Sequence, residues 1–191
     1  MKTAIIVARF QSPYLHEGHK YLIEKAQANH AKVVIILGIS PVVGSCRNPY
    51  DYFVRERMIK EAYPEIVVLP LCDHQDDTAW SEQLDLLLTK TFPCSDFLLY
   101  GGRDSFLPYY VGKLSTRKLK MTKQTAALQK CSATDMRKQA AHQVTADPKF
   151  RAGIVYALYN QYAKVCPTVD IFLFRNDKSE LLLGRKLSCE Q

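Results

Sequence analysis

The 191-residue chain contains no Cys-x-x-Cys pair; its six cysteines, Cys46, Cys72, Cys94, Cys131, Cys166 and Cys189, lie far apart. Without zinc-type spacing or an export signal, they read as free thiols of a cytoplasmic protein rather than as disulfides or metal ligands. Long hydrophobic runs are missing too. The longest aliphatic stretches, Ala4 to Ala8 and Val33 to Leu37, are too short to span a bilayer. The first is also too short for a secretory h-region, and no small-residue cleavage pattern follows it. No internal repeat and no low-complexity segment is visible. A composition of 47% hydrophobic and 24% charged residues excludes a disordered chain. It suits one globular domain, or one domain plus an appendage.

What is present is unevenly distributed. The net charge is +7. Residues 1–100 carry 10 basic and 12 acidic groups, and residues 152–191 carry 5 and 4. Residues 101–151 carry 11 basic and 3 acidic groups, or +8, essentially the whole excess. Such a segment is either a solvated helical surface or an attractor of anions. Its aromatics, Phe106, Tyr109, Tyr110 and Phe150, are not interleaved with the Lys/Arg run at 113–123. Nucleic acid is therefore not the expected partner.

Apolar, β-branched runs at 2–8, 32–39, 66–71 and 96–100 read as buried strands, with a more polar edge strand at 115–121. Helical periodicity lies between them, at 18–29, 52–63 and 79–91, and again at 133–142 and 149–163. This alternation predicts right-handed βαβ units. The expected architecture is a Rossmann-like, doubly wound α/β fold: a parallel five-stranded sheet with helices on both faces. Ligands of such sheets bind at the carboxyl ends of the strands. After Pro167 the pattern becomes two short strands around Asn176–Ser179, a short C-terminal β extension too small to build its own core. The predicted division is a main domain over 1–165 and an extension over 166–191.

Two motifs carry chemistry. His16-Glu17-Gly18-His19 stands at the start of the first helix, where free N–H groups and the helix dipole favour an anion. Gly18 lets a phosphate approach the backbone, and two imidazoles can donate to its oxygens. Surface histidines flanking a turn, or a zinc pair without a third ligand, are the competing readings. The second motif, Ser132-x-Thr134-x-x-Arg137, places a cap, a hydroxyl and a guanidinium at another helix start. Taken alone it is an ordinary cap followed by arginine.

Together, Arg9-Phe10-Gln11, His16-x-Gly18-His19 and Ser132-x-Thr134-x-x-Arg137 resemble the H-x-G-H nucleotidylyltransferase superfamily over about residues 2–165. Within it the chain resembles nicotinamide-mononucleotide adenylyltransferases, notably those fused to a Nudix hydrolase domain. Arg47-Asn48-Pro49 with Arg55-Glu56-Arg57 resembles the subfamily's R-x-P…E-R stretch. Asp73, Asp77 and Trp80 resemble its acidic-and-Trp segment, and Gly101-Gly102-Arg103-Asp104 its stretch after the fourth strand. Three departures stand out: a longer gap from Gln11 to His16, Ala8 before Arg9, and Arg103 where lysine is common.

The resemblance implies adenylyl transfer from ATP to nicotinamide mononucleotide, giving NAD and pyrophosphate. His16, His19 and Arg137 would be catalytic. Arg9, Phe10, Gln11, Gly18, Gly101, Arg103, Asp104, Ser132 and Thr134 would bind ATP and its phosphates. Arg47, Asp73, Asp77 and Trp80 would hold the acceptor, Trp80 by stacking on a cationic pyridinium. Mg²⁺ would sit mainly on ATP phosphates and water, with no protein metal site. Nicotinate mononucleotide or phosphopantetheine as acceptor, and a non-catalytic nucleotide-binding or nucleic-acid-binding regulator, remain alternatives. No membrane partner is expected; the basic edge strand leaves a surface where a homo-oligomer can form. Residues 169–174 and 181–186 resemble the opening hairpin of a Nudix domain. Only Glu180 and Glu190 follow residue 165, so the glutamate-rich Nudix box is missing, and the extension reads as an incomplete Nudix piece.

Overall fold

The structure is a computed structural model that describes residues 2–42, 44–102, 105–119, 132–160, 174–175 and 180–181. The alternating pattern becomes β1 (Thr3–Ala8), α1 (Glu17–Gln27), β2 (Val33–Ile39), α2 (Tyr52–Ala62), β3 (Val67–Cys72), α3 (Asp77–Thr91), β4 (Phe97–Gly101) and β5 (Ser115–Lys118). Helices α4 (Ala133–Ala141) and α5 (Pro148–Asn160) follow. A pair of two-residue strands, β6 (Phe174–Arg175) and β7 (Glu180–Leu181), is antiparallel, the sense expected for the C-terminal hairpin. Residues 161–163 of the last predicted helix and 120–121 of the predicted edge strand lie outside the described residues.

The main sheet has the order β3-β2-β1-β4-β5, and all four pairings are parallel. Strand β1 is central, in register with β2 from Ala4↔Val33 to Ala8↔Leu37 and with β4 from Thr3↔Phe97 to Ile6↔Tyr100. The side chains of β1 alternate between two cores. Ala4 and Ile6 pack with Ile35, Leu37, Ile23 and Ala26 of α1, and Ile59 of α2. Ile5 packs with Val34, Ile36, Leu99, and Leu84 and Leu88 of α3. Both faces are covered, so the inner strands need apolar residues at every position. The edges differ. Every residue of β5 is exposed and polar or charged. Strand β3 carries Pro70, a residue without an N–H, which an edge strand tolerates.

Each helix start has a side-chain cap. Asp51 accepts from Val54 N–H (2.9 Å), Asp76 from Thr78 N–H (3.0 Å) and Ser132 from Asp135 N–H (3.4 Å). The Asp76 cap moves the start of α3 ahead of the predicted residue 79, placing Asp77 in the first turn. No helix among the described residues is long and apolar enough to cross a membrane.

Candidate active site

A cleft of about 810 Å³ opens at the carboxyl ends of the strands. That volume lies within the range of small-molecule sites. Its wall includes Arg9, Phe10 and Gln11 after β1, Gly38 of β2, Asp73 after β3 and Gly102 after β4. The start of α1 supplies His16, Gly18 and His19, and the start of α4 supplies Ser132, Thr134 and Arg137. Two motifs more than a hundred residues apart thus share one cavity.

The link from β1 to α1 is tightly built. Phe10 has φ 49°, a left-handed backbone that costs a non-glycine residue about 1–2 kcal/mol. Its buried ring packs on His19, with centroids 4.6 Å apart. The Gln11 amide is engaged at both ends: Nε2 donates to Tyr50 C=O (2.9 Å) and Oε1 accepts from Tyr50 N–H (3.1 Å). Gln11 therefore clamps the loop before α2 while forming part of the cleft wall.

His16 is the N-cap of α1; its Nδ1 accepts from His19 N–H at 3.3 Å. That bond needs the Nδ1 lone pair, so the neutral ring carries its proton on Nε2. The two imidazoles stack with centroids 3.6 Å apart and planes 24° from parallel. Burial, and then repulsion from a charged His16, lowers the His19 pKa to about 3. His19 is thus neutral at pH 7. Its Nδ1 is buried without a hydrogen-bond partner among the described residues, beside a helix N-terminus.

Arg137 reaches across the cleft mouth. Its Nη1 donates to Gln11 C=O, its Nε to Cys46 C=O (2.9 Å) and its Nη2 to Thr134 Oγ1 (3.1 Å). One guanidinium thereby joins α4 to the link after β1 and to the loop before α2. Arg9 pairs with Asp73 (Nη2–Oδ2 2.8 Å) and reaches Asn48 Oδ1 at 3.5 Å. Arg47, Asp77 and Trp80 also line the cleft, with Phe106 5.8 Å from Trp80 between ring centroids. Gly101 closes β4 and is packed under Leu107 and Ser105, where a Cβ would collide at 2.5 Å; its neighbour Gly102 forms the cleft wall. Arg103 and Asp104 lie outside the described residues.

Sequence reasoning quoted Asn48 and Arg55 in the R-x-P…E-R stretch without giving them a role, and missed other parts. Arg55 is only 2% exposed and donates to three carbonyls, those of Asp51, Arg9 and Gly38, each at 2.9 Å. Burial, then the Arg9 charge, lowers its pKa. Asn48, His74, Ser105, Phe106 and Tyr109 also contribute to the cleft wall. Among the described residues no group of three or more His, Cys, Asp or Glu is gathered to hold a metal ion.

No protein-family model and no curated protein matches the chain. Solved structures do. A bifunctional NMN adenylyltransferase/ADP ribose pyrophosphatase from Francisella tularensis superposes with a TM-score of 0.63 at 20% identity, over 84% of this chain and 50% of that one. A structure of such a bifunctional enzyme from the same organism, complexed with AMP and a manganese ion, gives a TM-score of 0.61 with the same identity and coverage. The chain spans about half the length of these structural relatives. By this likeness and by its all-parallel, helix-covered sheet, the chain has the Rossmann-like α/β fold of these adenylyltransferases.

Proposed function

We propose that the chain transfers the adenylyl group of ATP to nicotinamide mononucleotide, releasing pyrophosphate and forming NAD. The observation that carries this reading is the convergence of two helix N-termini on one cleft. One bears the stacked His16 and His19, the other Ser132, Thr134 and Arg137. Two such termini form a cradle for a polyphosphate, with N–H donors and positive dipole ends already in place. The likeness to NMN adenylyltransferases agrees with it.

In the reaction a phosphate oxygen of the acceptor attacks the α-phosphorus of ATP. A new P–O bond forms as the bond to the β-phosphate oxygen breaks, and the electron pair leaves with pyrophosphate. The attacking oxygen is already anionic, so no strong base is needed, and catalysis is positioning and charge stabilisation. Neutral His19 donates one hydrogen bond to the transferring phosphate, and His16 Nε2–H donates a second. Gly18 leaves room for the phosphate at the helix start. Thr134, Ser132 and Arg137 hold the β- and γ-phosphates. Arg47 binds the acceptor phosphate. Arg9 and Phe10 shape the nucleotide side, Gln11 holding the loop beneath; Gly101 bears on it through its neighbour Gly102, and Arg103 and Asp104 are assigned to nucleotide binding by the resemblance alone. Held mainly by phosphate oxygens and water, Mg²⁺ would neutralise charge on the triphosphate.

On the α3 side of the cleft Trp80 and Phe106 offer flat faces, and Asp77 and the Arg9-paired Asp73 line the same cleft. With Asp73 already paired to Arg9, the Asp77 carboxylate suits a cationic pyridinium bearing a neutral amide and disfavours the extra carboxylate of nicotinate mononucleotide. The test follows the phosphorus. With ATP labelled at the α-position, the label is expected in the dinucleotide; with γ-labelled ATP, in pyrophosphate. Release of the γ-label as inorganic phosphate would instead mean hydrolysis or phosphoryl transfer, and the proposal would fail.

A further inference from the structure

The aromatic end of the cleft is only half supported by regular structure. Trp80 belongs to α3, but Phe106 lies in the stretch 105–114, which contains no helix or strand. A wall carried by a loop is only as well placed as the contacts that hold the loop. Leu107 and Ser105 pack over Gly101 of β4, and among the described residues the hydrogen bonds from 105–114 to other elements run to one face of α3. Tyr110 Oη donates to Asp85 Oδ1 at 2.5 Å and accepts from Leu114 N–H at 2.8 Å. Asp85 Oδ2 accepts from Lys113 N–H at 2.7 Å. Val111 N–H donates to Ser81 Oγ at 3.0 Å, and that hydroxyl donates to Asp77 C=O at 2.7 Å. Ser81 and Asp85 are one helical turn apart and present themselves together.

The same loop aims Phe106. The Tyr110 ring meets Phe106 edge-on, centroids 6.0 Å apart and planes 78° from parallel. The position two residues on is Gly112, where any Cβ would run into the Tyr110 ring. Burial, and then the bond to Asp85, raises the Tyr110 phenol above its ordinary range, so the hydroxyl remains a donor at every working pH. Neither Asp85 nor Tyr110 lines the cleft.

We propose that Asp85 and Tyr110 are positioning residues that latch 105–114 onto α3 and so set the spacing between Phe106 and Trp80, on which affinity for the flat ring of the acceptor depends. The acceptor half rests on the adenylyl-transfer reading; the latch does not.

Trp80 is the sole tryptophan, so its fluorescence reports on this wall directly. Tyr110→Phe keeps the ring and removes the hydroxyl; Asp85→Ala removes the carboxylate. In each folded variant Trp80 is expected to be quenched by acrylamide at least twofold more readily. The double variant should go no further than the singles, since both cut one network. The KM for nicotinamide mononucleotide should rise about tenfold, with the ATP KM and kcat within about twofold of the parent. If Asp85→Ala does not fold, Tyr110→Phe alone carries the test. Unchanged quenching in the folded variants overturns the latch, whatever the activity. Increased quenching with equal rises in both KM values overturns the acceptor role. If the unaltered protein adenylylates no pyridine nucleotide, the proposed function fails, and quenching still decides the latch.

Discussion

A histidine beside a helix N-terminus has little reason to be charged, and His19 has less than most. Its ring is enclosed by Phe10 and His16, and its pKa falls to about 3. The unfolded chain binds that proton near pH 6.5, the folded chain near 3, so protonation favours unfolding between those values. Stability from this residue is complete above pH 6.5 and is lost as pH falls toward 3. The slope is at most about 1.4 kcal/mol per pH unit. Urea denaturation at pH 7 and pH 5 should show a larger loss in the unaltered protein than in His19→Gln, which has nothing to titrate there. Equal losses would mean that His19 is not buried as a neutral ring. For turnover, His19→Ala is expected to lower kcat by roughly 10²–10³, the usual loss for one transition-state donor. Near-normal kcat would remove His19 from the chemistry. The motif itself was legible because all its parts lie within one turn of chain. The role of Gln11 was not, since both partners of its amide are backbone groups of Tyr50, 39 residues away.

Among elements, the strands and the sense of the sheet could be read from the sequence because buried parallel strands leave long apolar runs. The polar edge strand was also visible in Ser115–Lys118, and its exposure explains why no apolar run marks it. What joins the strand ends into a cleft was hidden. Arg55 sits in α2 but bonds the carbonyls after β1 and in β2, 46 and 17 residues away. An arginine on a helix reads as surface; only the fold shows that it is buried. Removing its donors leaves three carbonyls to find other partners. Arg55→Met, of similar length but without donors, should destabilise the protein by about 2–4 kcal/mol in urea denaturation. A loss under about 0.5 kcal/mol would show that Arg55 does not hold these ends together. Phe106 was equally illegible as part of the site, because its place depends on contacts between 105–114 and α3.

For the molecule as a whole, the fold agrees with NMN adenylyltransferase structures at only 20% identity. At that distance the sheet persists because it needs only apolar alternation over two covered faces, while in the proposed reaction the choice of acceptor rests on a few side chains such as Trp80. Trp80→Ala tests that dependence: the acceptor KM should rise at least tenfold more than the ATP KM. Equal effects would mean that Trp80 supports the core of the Leu84 face alone. The most direct measurement of the central claim is pyrophosphate release from ATP and Mg²⁺ with nicotinamide mononucleotide, nicotinate mononucleotide or phosphopantetheine, the product identified by mass. Preferential release with nicotinamide mononucleotide and a product with the mass of NAD is the expected result. No pyrophosphate with any acceptor, from protein that still binds ATP, would contradict it and turn the cleft into a nucleotide-sensing site.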